Sequence, residues 1–251
     1  MITDWSFYAV AIPAILIAGI SKGGFGAGLG VVTVPLMALA ISPVQAAAIM
    51  LPLLCVMDWV GVWAYRGVWD KANLKIVLPA GIIGIIIGAL SFGLLNDNWI
   101  RVLLGVIAIA FVLNAWLRRS ADKPSTSASL SHGSFWGAMS GYTSFVAHAG
   151  GPPLGVYLLP QRLEKRLFVG TTVIFFTIIN AVKLIPYFWL GLFDARNLST
   201  SLVLAPLAPI GIMLGVWLVK RVNPRVFYAL CYAFLFITGC KLLYDGVSRL
   251  A

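Results

Sequence analysis

The sequence has little charge for its length, and most of that charge is of one sign. Charged residues make up 10% of the chain, with eighteen Lys and Arg against eight Asp and Glu. Soluble domains usually have about a quarter of their residues charged. Together with 61% hydrophobic residues and a mean hydropathy of +0.96, this scarcity excludes an ordinary soluble domain and predicts a polytopic membrane protein.

Cysteine is also scarce. Cys55, Cys231 and Cys240 fall within apolar runs without CxxC or His-adjacent spacing, so neither a disulfide framework nor a zinc site is indicated, and we expect no cofactor.

The excess of basic residues lies in short loops between apolar runs rather than on one polar surface, which argues against nucleic-acid binding. Residues 1–4 carry no positive charge and no cleavage pattern follows them, so we expect the first apolar run to be retained.

The apolar residues form ten runs. They cover about residues 7–20, 25–40, 44–65, 75–95, 99–117, 133–148, 152–160, 167–190, 198–219 and 225–246. A membrane-spanning helix needs about 20 residues, so the last three runs of each half are long enough and the first two are short. The polar, Ser-rich segment 118–132 predicts a cytoplasmic linker between two transmembrane repeats, 1–117 and 133–251.

Weak internal repetition supports this division. Gly67, Asp70, Asn73 and Arg101 match Gly191, Asp194, Asn197 and Arg225 at one constant offset of 124. Against a simple duplication, the Gly84/Gly88 and Gly211/Gly215 pairs align only at an offset of 127.

Loop charge predicts how the two halves are oriented. Four loops carry three basic residues each, namely 66–75, 118–123, 161–166 and 220–225, and the positive-inside rule makes them cytoplasmic. The 66–75 loop is then inside while its echo at 191–197 is outside. We therefore predict an all-α polytopic membrane protein of two inverted-topology repeats. Each repeat has a broken or re-entrant helix pair followed by three full transmembrane helices, and both termini are external, on the periplasmic side of an inner membrane.

Each half contains one glycine-rich break between short apolar runs. The first is Gly19–Gly30 and the second is Gly141–Gly155. A helix interrupted in hydrocarbon persists only where its backbone is buried in protein or lines a wet cavity, and paired breaks indicate a transporter's substrate site. The alternative is close helix packing, because several of these glycines lie four residues apart.

Lys22 is the charged residue of the first break, and a charge at membrane depth costs at least about 2.5 to 3.5 kcal/mol unless it is paired or hydrated. We expect its ammonium to bind an anion together with the N–H groups opening the next short helix, from Gly24 to Gly28. The candidate binding residues are Ser21, Lys22, Gly23, Gly24, Gly26 and Gly28. The alternative is a lysine that snorkels to the headgroups from about 22 Å below its helix start.

The second break offers neutral polar groups instead of a lysine. The candidates are Thr143, Ser144, His148, Gly150 and Gly151, with Asn180 on the eighth run. His148 either titrates near neutrality and couples transport to protons, or serves as a structural hydrogen-bonding residue. Asp58 and Lys183 could form a buried ion pair, but Asp58 lies about 21 Å and Lys183 about 10 Å below the external end of its helix. An outward snorkel is the alternative for Lys183.

The runs 21–30, 34–36, 150–152 and 166–171 together resemble the TauE/SafE family of membrane transporters over nearly the whole chain. The resemblance implies a permease or exporter of sulfite, sulfoacetate or a related organosulfonate. Its partners would be the lipid bilayer, the small anion and a proton or another coupling ion, and assembly into a homo-oligomer is left open.

Two other classes compete with alternating-access transport. A membrane-embedded enzyme would need a catalytic set, but the sequence has no HExxH motif, no paired intramembrane carboxylates and no Ser-His-Asp grouping at membrane depth. An anion channel would need repeated charged or carbonyl rings, and only the glycine runs favour it.

The orientation is testable with reporter fusions. We expect a reporter that works only in the cytoplasm to be active at residues 70, 121 and 222 and inactive at the N-terminus and near residue 195. A reporter at 195 as active as the one at 70 would contradict the inverted arrangement.

Overall fold

The computed structural model describes residues 1–25, 27–92, 94, 96–117, 126–218, 221 and 224–250, which are helical with short connections and contain no strand. The α-helices are α1 Trp5–Ile20, α2 Thr33–Met37, α3 Pro43–Tyr65, α4 Lys71–Phe92, α5 Asp97–Leu117, α6 Leu130–Ala147, α7 Gly151–Leu158, α8 Lys165–Trp189, α9 Ala195–Leu204, α10 Leu207–Leu218 and α11 Pro224–Ser248.

Local sequence explains where several helices begin. Asp4, Ser42 and Asp194 are N-caps whose side-chain oxygens accept bonds from backbone N–H groups of the first turn. Ser6 donates hydrogen bonds from its hydroxyl and its N–H to the Asp4 carboxylate. These bonds, the one from the hydroxyl most strongly, lower the pKa of the Asp4 carboxyl.

Among the described residues, six helical stretches are long and apolar enough to cross a membrane: Trp5–Gly23, Pro43–Tyr65, Lys71–Phe92, Asp97–Asn114, Arg166–Trp189 and Ala195–Leu218.

The apolar runs of the sequence correspond to these helices with three corrections. The first run is not too short, because a π-helical turn at Ser21–Phe25 extends α1 into the stretch Trp5–Gly23. The second run is not one element, since a 3₁₀ segment at Ala27–Val32 precedes α2. The ninth run is divided into α9 and α10 at Pro206, which lacks an N–H and crowds the carbonyl four residues earlier.

The helix bundle has two ends that the loops distinguish. The basic end carries the 66–70 loop and the 161–164 segment, and the opposite end carries the 190–194 loop. Asp58 of α3 contacts Asn180 of α8, and a Cβ at Gly61 would meet Val173, so α3 and α8 run antiparallel. Likewise α5 and α11 run antiparallel, because Gly246 faces Asn98 and Gly105 faces Gly239.

Two segments of the chain turn back inside the bundle. In the first, Ile2 N–H donates to Thr200 and the Gln45 amide donates to Asn197. Both partners lie on α9 next to the 190–194 loop, so this segment enters and leaves the bundle at the end opposite the basic end. In the second, Gly133 lies against Tyr157, so α6 begins beside the end of α7. We call residues 5–41 the first hairpin and residues 130–161 the second hairpin.

The second hairpin enters and leaves at the basic end, where Asn73 at the start of α4 exchanges side-chain hydrogen bonds with Gln161. The hairpins therefore dip into the bundle from opposite ends.

The two loops that echo each other in sequence have the same local structure. Gly67 and Gly191 both have positive φ, at 79° and 68°, a conformation that glycine adopts without a Cβ clash. Asp70 and Asp194 each accept a bond from the N–H three residues on, at 2.7 and 2.6 Å. Of the fourth pair, Arg101 donates to the carbonyls of Ala38 and Ile41, and the side chain of Arg225 lies outside the described residues.

Glycine allows each hairpin to approach a long helix of the other half. In the second hairpin, a Cβ at Gly141 of α6 would overlap the Gly81 carbonyl of α4. In the first, a Cβ at Gly19 of α1 would lie 2.7 Å from Gly211 of α10. The packing alternative for the break glycines therefore holds at Gly19 and Gly141, where small residues let two backbones meet.

We expect Gly141→Ala to lower stability, because the added methyl group would push α6 away from α4. Overpacking of this kind costs about 1 to 3 kcal/mol. Thermal unfolding in detergent measures the effect. Gly155→Ala is the matched control, since its nearest contact would be Leu159 Cδ1 at 3.6 Å. Equal unfolding temperatures for the two variants would contradict close packing at Gly141.

Candidate functional site

A cavity of about 750 Å³ lies between α3, α8 and α10 and reaches the tip of the first hairpin. Its walls are largely apolar, with Met57, Val173, Phe176, Ile212 and Val216 among them. Tyr65 at the end of α3 and Arg166 at the start of α8 also line it, which places its mouth at the basic end of the bundle. We call this cavity the vestibule.

Three arginines lie near the mouth of the vestibule. Arg166 lines it directly. The guanidinium of Arg66 lies 5.7 Å from the ring centre of Trp63, and that of Arg221 lies 4.7 Å from the ring centre of Trp217. Both tryptophans line the vestibule. A cluster of one sign at the mouth of a low-dielectric cleft raises the local concentration of counter-ions, so this mouth favours anions.

An ion pair lies at the deep end of the vestibule. The Lys22 ammonium donates to one carboxylate oxygen of Asp58, and the Asn180 side-chain amide donates to the other. Both residues line the vestibule, and the lysine is the more exposed partner, with 21% of its side chain accessible against 5% for Asp58. Lys22 therefore neither snorkels outward nor lacks a protein counter-charge.

Beyond the ion pair lies a second pocket of about 40 Å³, where the two hairpin tips meet. The first hairpin contributes Ser21, Lys22, Gly30 and Thr33, and the second contributes Ser144, His148 and Gly151. Asn180 of α8 also lines it. We call this the tip pocket. Lys22 and Phe176 line both the tip pocket and the vestibule, so they stand between the two spaces.

Behind the tip pocket, Lys183 has no exposed surface and makes its polar contacts at the tip of the second hairpin. Its ammonium donates to the Ser144 carbonyl and hydroxyl, both at 3.0 Å, and to His148 Nδ1 at 2.7 Å. His148 Nε2 then bonds the Ala47 carbonyl at 2.9 Å. The snorkelling alternative for Lys183 is wrong, and the argument against an Asp58–Lys183 pair is consistent with these separate partners.

His148 also shapes the turn of the second hairpin. It is the C-cap of α6 with φ of 51°, and its N–H and that of Ala149 close the helix end on Ser144 and Thr143. Residues with left-handed backbone conformation at helix ends are usually glycine or asparagine. A histidine in this conformation therefore has a conformational cost.

The structure brings together many but not all of the residues named from the sequence. Six line the tip pocket: Ser21, Lys22, Ser144, His148, Gly151 and Asn180. Gly23 lines the vestibule. The Thr143 hydroxyl bonds carbonyls of its own helix, and the Gly150 carbonyl accepts a bond from Ser140. Gly24 lies in the π turn and Gly28 in the 3₁₀ segment, whereas Gly26 lies outside the described residues.

Sequence reasoning missed Asp58 as the partner of Lys22, although a signal was present. Counted along their helices, Lys22 and Asp58 lie about 22 and 21 Å from the external side, so their depths match. In the part of the chain that the structure describes, no group of His, Cys, Asp and Glu could hold a metal ion.

Fold and site together define a multi-pass helical membrane protein with a basic-mouthed cavity that ends at two interrupted hairpins. The family model described as Sulfite exporter TauE/SafE matches residues 11–242. The chain therefore belongs to the TauE/SafE sulfite exporter family, whose members are transporters rather than enzymes. Comparison with curated proteins and with solved structures gave no match.

The vestibule predicts one-sided access to its wall. In a cysteine-free background, we expect Thr172→Cys to react with a membrane-impermeant thiol reagent added at the basic end and to react far more slowly from the other end. Ile83→Cys is the control, because Ile83 is 55% exposed on the outer surface of α4, where a thiol in hydrocarbon stays protonated and unreactive. Equal labelling of Thr172→Cys from both ends would contradict a vestibule that opens only at the basic end.

Proposed function

We propose that this protein is a secondary transporter that moves a small anion, such as sulfite, sulfoacetate or a related organosulfonate, by alternating access. The observation that carries the proposal is the meeting of the two hairpin tips, each with an interrupted backbone, around a pocket that includes a membrane-depth lysine. Discontinuous helices at a repeat interface are typical of secondary transporter sites.

The direction of equivalent helices supports an inverted repeat. The third helix of each half is α3 and α8, and the last is α5 and α11, and both pairs run antiparallel. Parallel repeats would orient equivalent helices the same way. The two hairpins would then be re-entrant from opposite membrane faces, so that α1 would enter the membrane without crossing it despite its length. The crossings would be α3, α4 and α5 in the first half, and α8, the α9–α10 stretch and α11 in the second. By the positive-inside rule the basic end is cytoplasmic and both termini are external, in an inner membrane.

The described residues correspond to an inward-open state under this orientation. The vestibule reaches the ion pair from the basic end. Toward the other end, the buried rings of Phe145 and Tyr187 pack edge to face, and Phe193 lies against Tyr187 with ring centres 5.8 Å apart. Alternating access would open this aromatic layer while closing the vestibule, and rocking of one repeat against the other is the usual means.

The basic mouth and Lys22 support an anionic substrate. Lys22 is partly exposed to the vestibule, and Ser21 and Ser144 offer hydroxyl groups in the tip pocket. A sulfite or sulfonate group has three oxygens that accept such bonds. Charge-assisted bonds to anions are about twice as strong as neutral ones, so the ammonium would dominate binding.

Anion flux into proteoliposomes tests the proposal, with sulfite, sulfate, thiosulfate and short organosulfonates as probes. We expect saturable flux of at least one of them. Replacement of Lys22 should weaken the apparent affinity by roughly ten- to over a hundred-fold, because a lost charge-assisted bond costs about 1.5 to 3 kcal/mol. Arginine should rescue only in part, since its planar fork is a poor substitute for a compact ammonium.

Lys22→Met alone would leave the Asp58 carboxylate buried without its counter-charge, which would lower stability by about 3 to 5 kcal/mol. The double variant Lys22→Met/Asp58→Asn removes both charges and is the better test. Lys241→Met is the matched control, because Lys241 is paired with Asp245 at an exposed site outside both cavities. Wild-type affinity in a well-folded double variant would overturn the assignment of Lys22 to the anion site.

A further inference from the structure

We propose that the Asp58 carboxylate is a built-in counter-ion of Lys22, which the transported anion replaces when Asp58 takes up a proton, so that one proton crosses with each monoanion. This inference rests on the proposed function and assigns its coupling residue. It places the proton on Asp58 rather than on His148.

Position is the first argument. Asp58 lines the vestibule, its partner Asn180 lines the tip pocket, and Lys22 lines both. The Lys22–Asp58–Asn180 contacts therefore form a partition between the two spaces. An anion arriving from the vestibule meets a lysine whose ammonium already donates to a carboxylate, which, like a sulfonate, is a monoanion with oxygen acceptors. The substrate and Asp58 must compete for this one cation.

Charge balance is the second argument. In the empty site, Lys22 and Asp58 sum to zero. If an anion binds Lys22 while Asp58 stays ionised, the site gains one negative charge at membrane depth, where an unpaired charge is strongly disfavoured. If Asp58 is protonated, Lys22 and the monoanion again sum to zero. The net charge of these groups is then zero in both the empty and the loaded carrier. This equality holds whatever other charged groups lie nearby, because they contribute the same charge to both states.

Among the described residues, Asp58 is the carboxylate that lines the vestibule. On its own helix the nearest titratable group is Cys55. The facing elements contribute Lys22 from the first hairpin, Arg166 from α8 and His148 from the second hairpin, whereas the vestibule residues of α10 are apolar or aromatic. Lys183 of α8 lies behind the tip pocket, against His148. While the site is empty, the Lys22 ammonium favours the ionised carboxylate of Asp58. An anion that takes over Lys22 leaves this carboxylate without its counter-charge, which favours its protonation.

His148 is less suited to this role because both ring nitrogens are occupied. Lys183 donates to Nδ1, which leaves the ring proton on Nε2 to donate to the Ala47 carbonyl. Protonation of Nδ1 would break the bond from Lys183 and place two cations side by side. The described geometry therefore gives His148 a positioning role at the turn of the second hairpin.

The experiment compares wild type, Asp58→Asn, Asp58→Glu and His148→Gln in proteoliposomes. The probe is an anion that wild type carries, with a short organosulfonate preferred because its own charge does not change over the pH range used. In wild type we expect the apparent affinity to fall toward high pH by up to about tenfold per pH unit, which is the linkage for one proton. Flux should also acidify the receiving side and be insensitive to membrane potential.

Asp58→Asn should bind the anion more tightly at high pH, lose the pH dependence and become sensitive to membrane potential, because charge now moves without a proton. Asp58→Glu retains the carboxylate and should keep a pH dependence with a shifted midpoint, and it also serves if Asp58→Asn does not fold. His148→Gln should keep the wild-type pH profile. A wild-type pH profile in Asp58→Asn, or its loss in His148→Gln, overturns the inference while leaving anion transport standing. Absence of any anion flux in wild type would instead overturn the proposed function itself.

Discussion

Backbone N–H and C=O groups that lose their helical hydrogen bonds inside hydrocarbon must bond to protein or water, and the rest of this structure depends on that constraint. The regular α-helix is interrupted once in each half of the chain, at the π turn after α1 and at the left-handed cap after α6. The hairpins that result cannot face lipid at their tips. They are enclosed by the long helices of the opposite half, which glycine contacts bring to backbone distance.

Enclosure of the tips explains why the charged residues are where they are. An enclosed, polar environment that satisfies an interrupted backbone also satisfies polar side chains. Lys22, Asp58 and Asn180 therefore lie at the first tip. Ser144, Lys183 and His148 lie at the second. The two clusters differ in exposure. Lys22 reaches the vestibule, whereas Lys183 is fully buried and its ammonium is satisfied by hairpin atoms. Lys22 is accordingly suited to exchange partners, and Lys183 to hold a turn in place.

The family relation and the geometry constrain function at different levels. Membership in the TauE/SafE family makes the chain a multi-pass membrane transporter. The basic mouth, the apolar walls and the ion pair support the proposal of an anion as cargo, and the contact between Asp58 and Lys22 supports the proposal of a proton as its companion. The size of the vestibule, about 750 Å³, is ample for an organic body attached to the anionic group.

The sequence by itself determined the membrane class, the approximate positions of the long helices, both breaks and most of the polar residues around them. These follow from local chemistry: apolar length, glycine density and the cost of charge at depth. It also predicted the paired Gly-x-x-Asp-x-x-Asn loops, which have the same turn and cap in both halves.

Only the tertiary structure decided which partners meet, because partner choice depends on how hairpins and helices pack across the two halves. It assigned Asp58 to Lys22 and Lys183 to His148 and Ser144, showed that both broken segments return to the end where they began, and divided the ninth apolar run at Pro206. A depth count along each helix could rank these pairs, but it contains no information on which faces of separate helices point at each other.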